Sequence, residues 1–265
     1  RGTADMLVGM SEMYYEQNDL QAAAECLLRA KEQGEHTGLP QNRYRLRVAM
    51  ARVREAEGDP KGALGLLDEA ERLLMGDFSP NVRPISALKA RMWVEQGRLV
   101  EALDWAHERN LSVEDDLSYL REYEHITLAR MLLTQYKRDG LDSSIREAIG
   151  LLESLLRAAE AGGRMSSVIE ILVLRALAHQ AIKDIPAALL ALQRALTLAE
   201  PEGYIRMFVD EGVSMADLLR EAAAHRIAPE YSGKLLAAFG GEQPGDAGVP
   251  RSSTAQSHIE TLSQR

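Results

Sequence analysis

Four times along the chain a tight-turn signal is followed five residues later by alanine: Asn18 to Ala23, Gly58 to Ala63, Gly97 to Ala102 and Lys183 to Ala188. A fifth anchor, Gly140, has its alanine three residues late, at Ala148. The anchors stand 39 to 43 residues apart, and a period of that length predicts a stack of like units rather than one closed globule. Four and seven residues past each alanine the chain reads Leu27 and Ala30, Leu67 and Ala70, Ala106 and Arg109, Leu152 and Leu155, Leu192 and Ala195. Those offsets put three side chains on one helical face. Seven residues before the anchor the side chain is small in three units (Ala51, Ala90, Ala176), and four before it the side chain is bulky in most (Tyr14, Arg54, Trp93, Tyr136, His179).

Each unit therefore reads as a helix, a tight turn and a second, antiparallel helix. Asp59-Pro60 marks the clearest boundary, with aspartate as N-cap and proline at the first helical position, and Asp184-Ile185-Pro186 repeats it. One hairpin cannot bury both of its faces, so neighbours must stack, and the expected architecture is all-α: a superhelical solenoid with a concave inner surface. Composition agrees, since Ala, Leu, Glu and Arg dominate and aromatics are only 5%.

The five units resemble tetratricopeptide repeats, with small, turn and alanine positions in the order of that consensus over about residues 3 to 200. The resemblance implies a right-handed superhelix in which first helices line the groove. Past Pro201 the run Gly203 to Gly212, with Tyr204-Ile205-Arg206-Met207-Phe208-Val209-Asp210-Glu211, precedes a helix from about Ser214 to Ala224 and another from about Ala228 to Phe239. As packing alone it is a helical cap whose Tyr204, Met207, Phe208 and Val209 cover the last hairpin. The aromatic-Arg-x-Phe-x-Asp-Glu-Gly string with Met215 and Leu218-Leu219 behind it also resembles the segment after the repeats in MalT-type regulators, the large ATP-dependent LuxR-family transcription activators. A Gly/Pro/Ser-rich stretch from 240 to 257 reads as a flexible linker, and Leu262-Ser263-Gln264-Arg265 looks like the opening of a LuxR-type helix-turn-helix domain. The expected organisation is a repeat array over 1–200, a capping segment over 201–239 and a linker over 240–265.

What that resemblance implies is a multidomain cytoplasmic protein. Its nucleotide-binding domain would precede this region, its DNA-binding domain would follow, and this region would sense an inducer or partner and relay the event to self-association. The chain itself carries no Gly-x-x-x-x-Gly-Lys-[Ser/Thr] loop, so no ATP and no other cofactor is expected on it. Net charge of −9, from 31 basic and 40 acidic residues, disfavours contact with a phosphate backbone. No run approaches a membrane span, and the lone Cys26 reads as a small core hydrophobe.

Catalysis has no visible basis. Six histidines (His36, His107, His125, His179, His225, His258) show no metal-ligand pairing, and Asp115-Asp116 reads as helix N-terminal charge rather than an acid–base pair. The candidate site is the inner groove. The position six before each anchor gives Glu12, Arg52, Arg91, Thr134 and Leu177, and the position ten before adds Val8, Val48, Ala87, Arg130 and Val173. Arg52, Arg91 and Arg130 thus form a candidate cationic stripe for carboxylate, phosphate or sugar hydroxyls. The alternative is that they pair with glutamates of neighbouring helices, the commoner fate of surface charge. Tyr119, Tyr123 and Tyr44, near the starts of first helices, are candidate stacking surfaces, and Trp93 occupies the bulky core position. The functional expectation is a non-enzymatic domain that holds a small-molecule inducer or a peptide or protein partner in its groove. The alternatives are a generic peptide-binding scaffold and a regulatory subunit of an enzyme.

Overall fold

All five anchors adopt the left-handed conformation: Asn18 (φ 62°), Gly58 (82°), Gly97 (73°), Gly140 (68°) and Lys183 (63°). Helices end this way because the reversed residue lets the next amides turn back onto orphan carbonyls. At four anchors the following residue bonds the carbonyl four positions before the anchor, as Asp19 N–H does to Tyr14 (2.9 Å), Asp59 to Arg54 (2.9 Å), Arg98 to Trp93 (2.7 Å) and Asp184 to His179 (2.9 Å). The bulky repeat position is thus the residue whose carbonyl closes the turn. Gly140 makes only the simpler bond, to Tyr136 (2.8 Å), so the next helix starts later and its alanine slips to 148.

The computed structural model describes residues 2–34, 40–73 and 82–240. Among them are thirteen α-helices and no strand: α1 (Thr3–Glu16), α2 (Leu20–Gly34), α3 (Pro40–Ala56), α4 (Pro60–Leu73), α5 (Ile85–Glu95), α6 (Leu99–Glu108), α7 (Glu122–Asp139), α8 (Asp142–Ala161), α9 (Met165–Ala181), α10 (Ile185–Ala199), α11 (Arg206–Val209), α12 (Gly212–Ala224) and α13 (Pro229–Gly240). The first ten make five hairpins, and α1, α3, α5, α7 and α9 run in the same direction. Second helices start on aspartate caps in three hairpins, where Asp19 accepts from Ala22 N–H (2.9 Å), Asp59 from Gly62 (2.9 Å) and Asp184 from Ala187 (3.2 Å).

The alanines five past the turn, with the displaced Ala148, are all fully buried, as are Ala51, Ala90 and Ala176 before it. A methyl at those crossings lets two helix backbones approach; a longer side chain would force them apart. Cys26 is buried in the core of the first two hairpins, with Leu7, Leu27, Leu46 and Val53. Trp93 is half-buried against the larger core, and Arg98 lies over its ring at 5.6 Å. The linker expected over 240–265, and with it His258 and the closing Leu262-Ser263-Gln264-Arg265, lies outside the described residues from 241 on, as does His36.

Beyond α10 the chain does more than cap. Phe208 is fully buried, edge-on to Tyr231 (6.2 Å, 86°), and α12 packs on α9 and α10. The polar side of the same short segment turns the other way, across the concave surface to the first hairpin. Ile205 N–H donates to the Glu16 carbonyl (2.7 Å), Tyr15 Oη donates to Asp210 (3.0 Å), and Arg206 donates to Asn18 (3.1 Å). The two ends of the repeat array are thereby joined.

Candidate ligand cavity

Joining the ends turns a groove into a cavity of about 640 Å³, within the range of small-molecule sites. Its wall is made by α1, α3, α5, α7 and α9 and is closed by Met207, Asp210 and Glu211. Of the residues singled out from the sequence, Glu12, Arg52, Arg91, Arg130, Tyr123 and Tyr44 line it. Thr134 and Tyr119 do not. In the fourth unit the position ten before the anchor, Arg130, faces the cavity in place of Thr134. Tyr119 sits in a 3-10 turn (Tyr119–Arg121), faces Arg164 at 5.6 Å, and borders a separate, smaller recess. Leu177, Val173 and Ala87 are buried core, and α9 contributes Ser166 and Glu170 instead.

The arginines do not form a bare cationic stripe. Arg52 pairs with Glu16 (2.8 Å) and lies 4.2 Å from the Tyr15 ring. Arg91 and Arg130 share Glu170 (2.6 and 3.0 Å), and Arg130 also holds Glu211 (2.6 Å). Arg91 donates to Thr127 (2.8 Å) and lies 3.6 Å from the Tyr123 ring. The pairing with neighbouring glutamates, weighed above as the alternative, is what occurs. Even so, Arg91 Nη2 and Arg130 Nε are buried donors with no hydrogen-bond partner among the described residues, and such donors cost free energy until something accepts from them.

The charges perturb one another strongly. Burial favours a neutral Glu170, but Arg91 and Arg130 outweigh it and pull its carboxyl down to about 2. Burial, opposed by Arg206 and Arg52, leaves Asp210 raised to about 6. The Glu55 and Glu95 carboxyls face each other, and two carboxyls brought together are stable only if a proton is shared between them; burial, then the Glu95 charge, raise Glu55 to about 9. Burial also lifts Glu95, although its side chain stays open to the solvent of the cavity.

The family model of the MalT-like TPR region, where TPR denotes the tetratricopeptide repeat, matches residues 1–225. The chain belongs to the MalT-like TPR family. Among curated proteins none matches it. The matched region of this MalT-like array includes α11 and α12, so the closing segment is part of the family unit. Among the described residues the array holds no group of three or more side chains placed to bind a metal, and no helix long and apolar enough to cross a membrane.

Sequence reasoning missed Glu16, Glu55 and Glu95. All three stand two or three residues before an anchor, and an acid at that offset in three successive units was a readable signal. Glu170 and Glu211 had none, because their partners lie 79 and 40 residues and 81 residues away in the chain. His125 is fully buried between Asp115 (3.0 Å) and the Arg121 carbonyl (2.9 Å). Asp115, held below the usual carboxylate range by the Ser112 amide and then His125, therefore anchors the loop before α7.

Proposed function

We propose that this MalT-like TPR region is a non-enzymatic sensor: it holds a small-molecule inducer, or a short partner segment, in the cavity between its first helices and the 204–211 segment. The observation that carries this is the partly open volume of about 640 Å³, walled by apolar side chains and by charged groups from five first helices and the 204–211 segment. The relay follows from the same closure. A ligand touching both the first hairpin and the 204–211 segment binds the joined form better than an opened one, and that difference in affinity is what shifts a conformational equilibrium.

In the whole gene product the shift acts on domains outside this chain, in the manner of a LuxR-family regulator in which ATP binding and DNA binding belong to flanking domains. Coding sequence for a P-loop domain before Arg1 and a helix-turn-helix after Arg265 is expected; neither being found would sink that part of the proposal. The cavity is tested by thermal melting against a metabolite library, with Leu88→Trp as the blocked control, because Leu88 is a half-buried lining residue. A ligand at 100 times its Kd stabilises by about 2.7 kcal/mol. The expected result is a shift that Leu88→Trp abolishes. No shift by any compound, or one that survives Leu88→Trp, would contradict the proposal.

A further inference from the structure

The charges of the cavity are sorted along its length. On α3 the lining residues run Arg45, Arg52, Glu55, and on α5 with the residues before it they run Arg83, Arg91, Glu95. The middle arginine of each row is neutralised, Arg52 by Glu16 and Arg91 by Glu170. The ends are less fully paired. Neither Arg45 nor Arg83 makes an ion pair within 4.0 Å among the described residues; Arg83 lies over the Tyr123 face at 5.7 Å and acts through space on Glu170, which Arg91 and Arg130 already hold. At the other end Glu55 and Glu95 face each other, with Asp210 and Glu211 adding negative charge and Arg52, Arg91 and Arg130 opposing it.

Because α3 and α5 are parallel, their N-terminal ends lie at the arginine pole and their C-terminal ends at the carboxyl pole. Helix dipoles therefore add to both poles with the same sign as the side chains. We infer that the cavity takes a zwitterionic ligand, with an anionic carboxylate or phosphate at Arg45 and Arg83 and a protonated amine at Glu55 and Glu95. The poles are ten or twelve residues apart on each row, roughly 15 Å along a helix. With side chains reaching inward, that is the span of a three- or four-residue extended peptide with free ends, or of any zwitterion of that length.

The carboxyl pair gives the ligand a chemical signature. Arg52, Arg91 and Arg130 act on the pair only through space, being held by Glu16, Glu170 and Glu211, so the pair keeps a proton; an ammonium group set directly against it neutralises the pair instead, and Glu55 releases that proton to the buffer. Burial and the facing Glu95 carboxyl raise Glu55 well above the usual carboxylate range, which favours the proton on the pair.

The inference rests on the cavity being the ligand site, and calorimetry on the 265-residue chain separates the two. The probes are tetra-alanine with free ends, its N-acetylated and C-amidated forms, and a dicarboxylate and a diamine of matched length. Tetra-alanine is expected to bind, either cap to weaken it roughly tenfold or more, and binding to release about one proton when buffers of different ionisation enthalpy are compared. Arg45→Ala with Arg83→Ala should erase the penalty of the C-terminal cap only, and Glu55→Gln with Glu95→Gln that of the N-terminal cap only. Tighter binding of the dicarboxylate or the diamine, or indifference to the caps, overturns the zwitterion while the cavity stands. Silence from all five probes up to about 10 mM also overturns it, and the Leu88→Trp melting comparison then judges the cavity by itself.

Discussion

Glu170 joins α9 to both α5 and α7, because its carboxylate accepts from Arg91 and Arg130 at once while only 13% exposed. Glu170→Gln leaves two enclosed guanidiniums short of charge, and is expected to cost about 3 kcal/mol in a urea titration, as broken buried pairs do. With a folded value of about 2 against an ordinary 4.5, this carboxylate's stabilisation is present above pH 4.5 and is lost as pH falls towards 2. The mutant should lack that acid-side loss. Glu55 has the opposite sign. Its raised value makes its contribution complete below pH 4.5 and lost as pH climbs towards 9. Glu55→Gln keeps a hydrogen bond to Glu95 without a proton, so between pH 6 and 9 the mutant should lose about 1 to 2 kcal/mol less than the parent, the solvent around Glu95 reducing the full linkage. Equal pH slopes for both chains would refute the shared proton. At this scale the arginines were legible because they stand at fixed offsets from a turn. Their partners were not, since an ion pair between helices 40 or 80 residues apart leaves no trace in a local period.

Helix boundaries here depend on a left-handed anchor followed, in three hairpins, by an aspartate cap. Gly97→Ala forces a Cβ into φ 73° and is expected to cost about 1 to 2 kcal/mol. Asp59→Ala removes the acceptor for Gly62 N–H and should cost about 1 kcal/mol. Both are read from denaturation midpoints, and no loss at either site would show that the turns follow the packing rather than direct it. The hairpins were readable from the sequence for this reason: turn, cap and buried alanine are local, and they recur. Even the irregular Gly140 unit was marked by its late alanine. Counting back from the turn chose Thr134, but this unit turns Arg130, one helical turn earlier, to the cavity. The segment after Pro201 was legible only on its apolar side, where Phe208 and Val209 pack as expected of a cap. Its polar side pairs with residues nearly 200 positions earlier, which no repeat predicts.

Across the whole molecule, the ends of the array are held together by a few polar contacts rather than by a broad apolar face: Tyr15 with Asp210, Arg206 with Asn18, and Ile205 N–H with the Glu16 carbonyl. A joint of that kind is strong enough to define a cavity and weak enough to be shifted by what the cavity holds. Tyr15→Phe, which removes one hydrogen bond, should cost about 1 kcal/mol and should raise the exchange rate of amides in 205–210 without touching those of α9 and α10. The central claim is that the closing segment makes the groove a cavity, and amide hydrogen exchange at Ile205 tests it most directly. The account predicts that this amide is protected at least about a hundredfold over an open chain, and further protected by ligand. Exchange at the open-chain rate, in a protein whose α9 and α10 amides are fully protected, would contradict it.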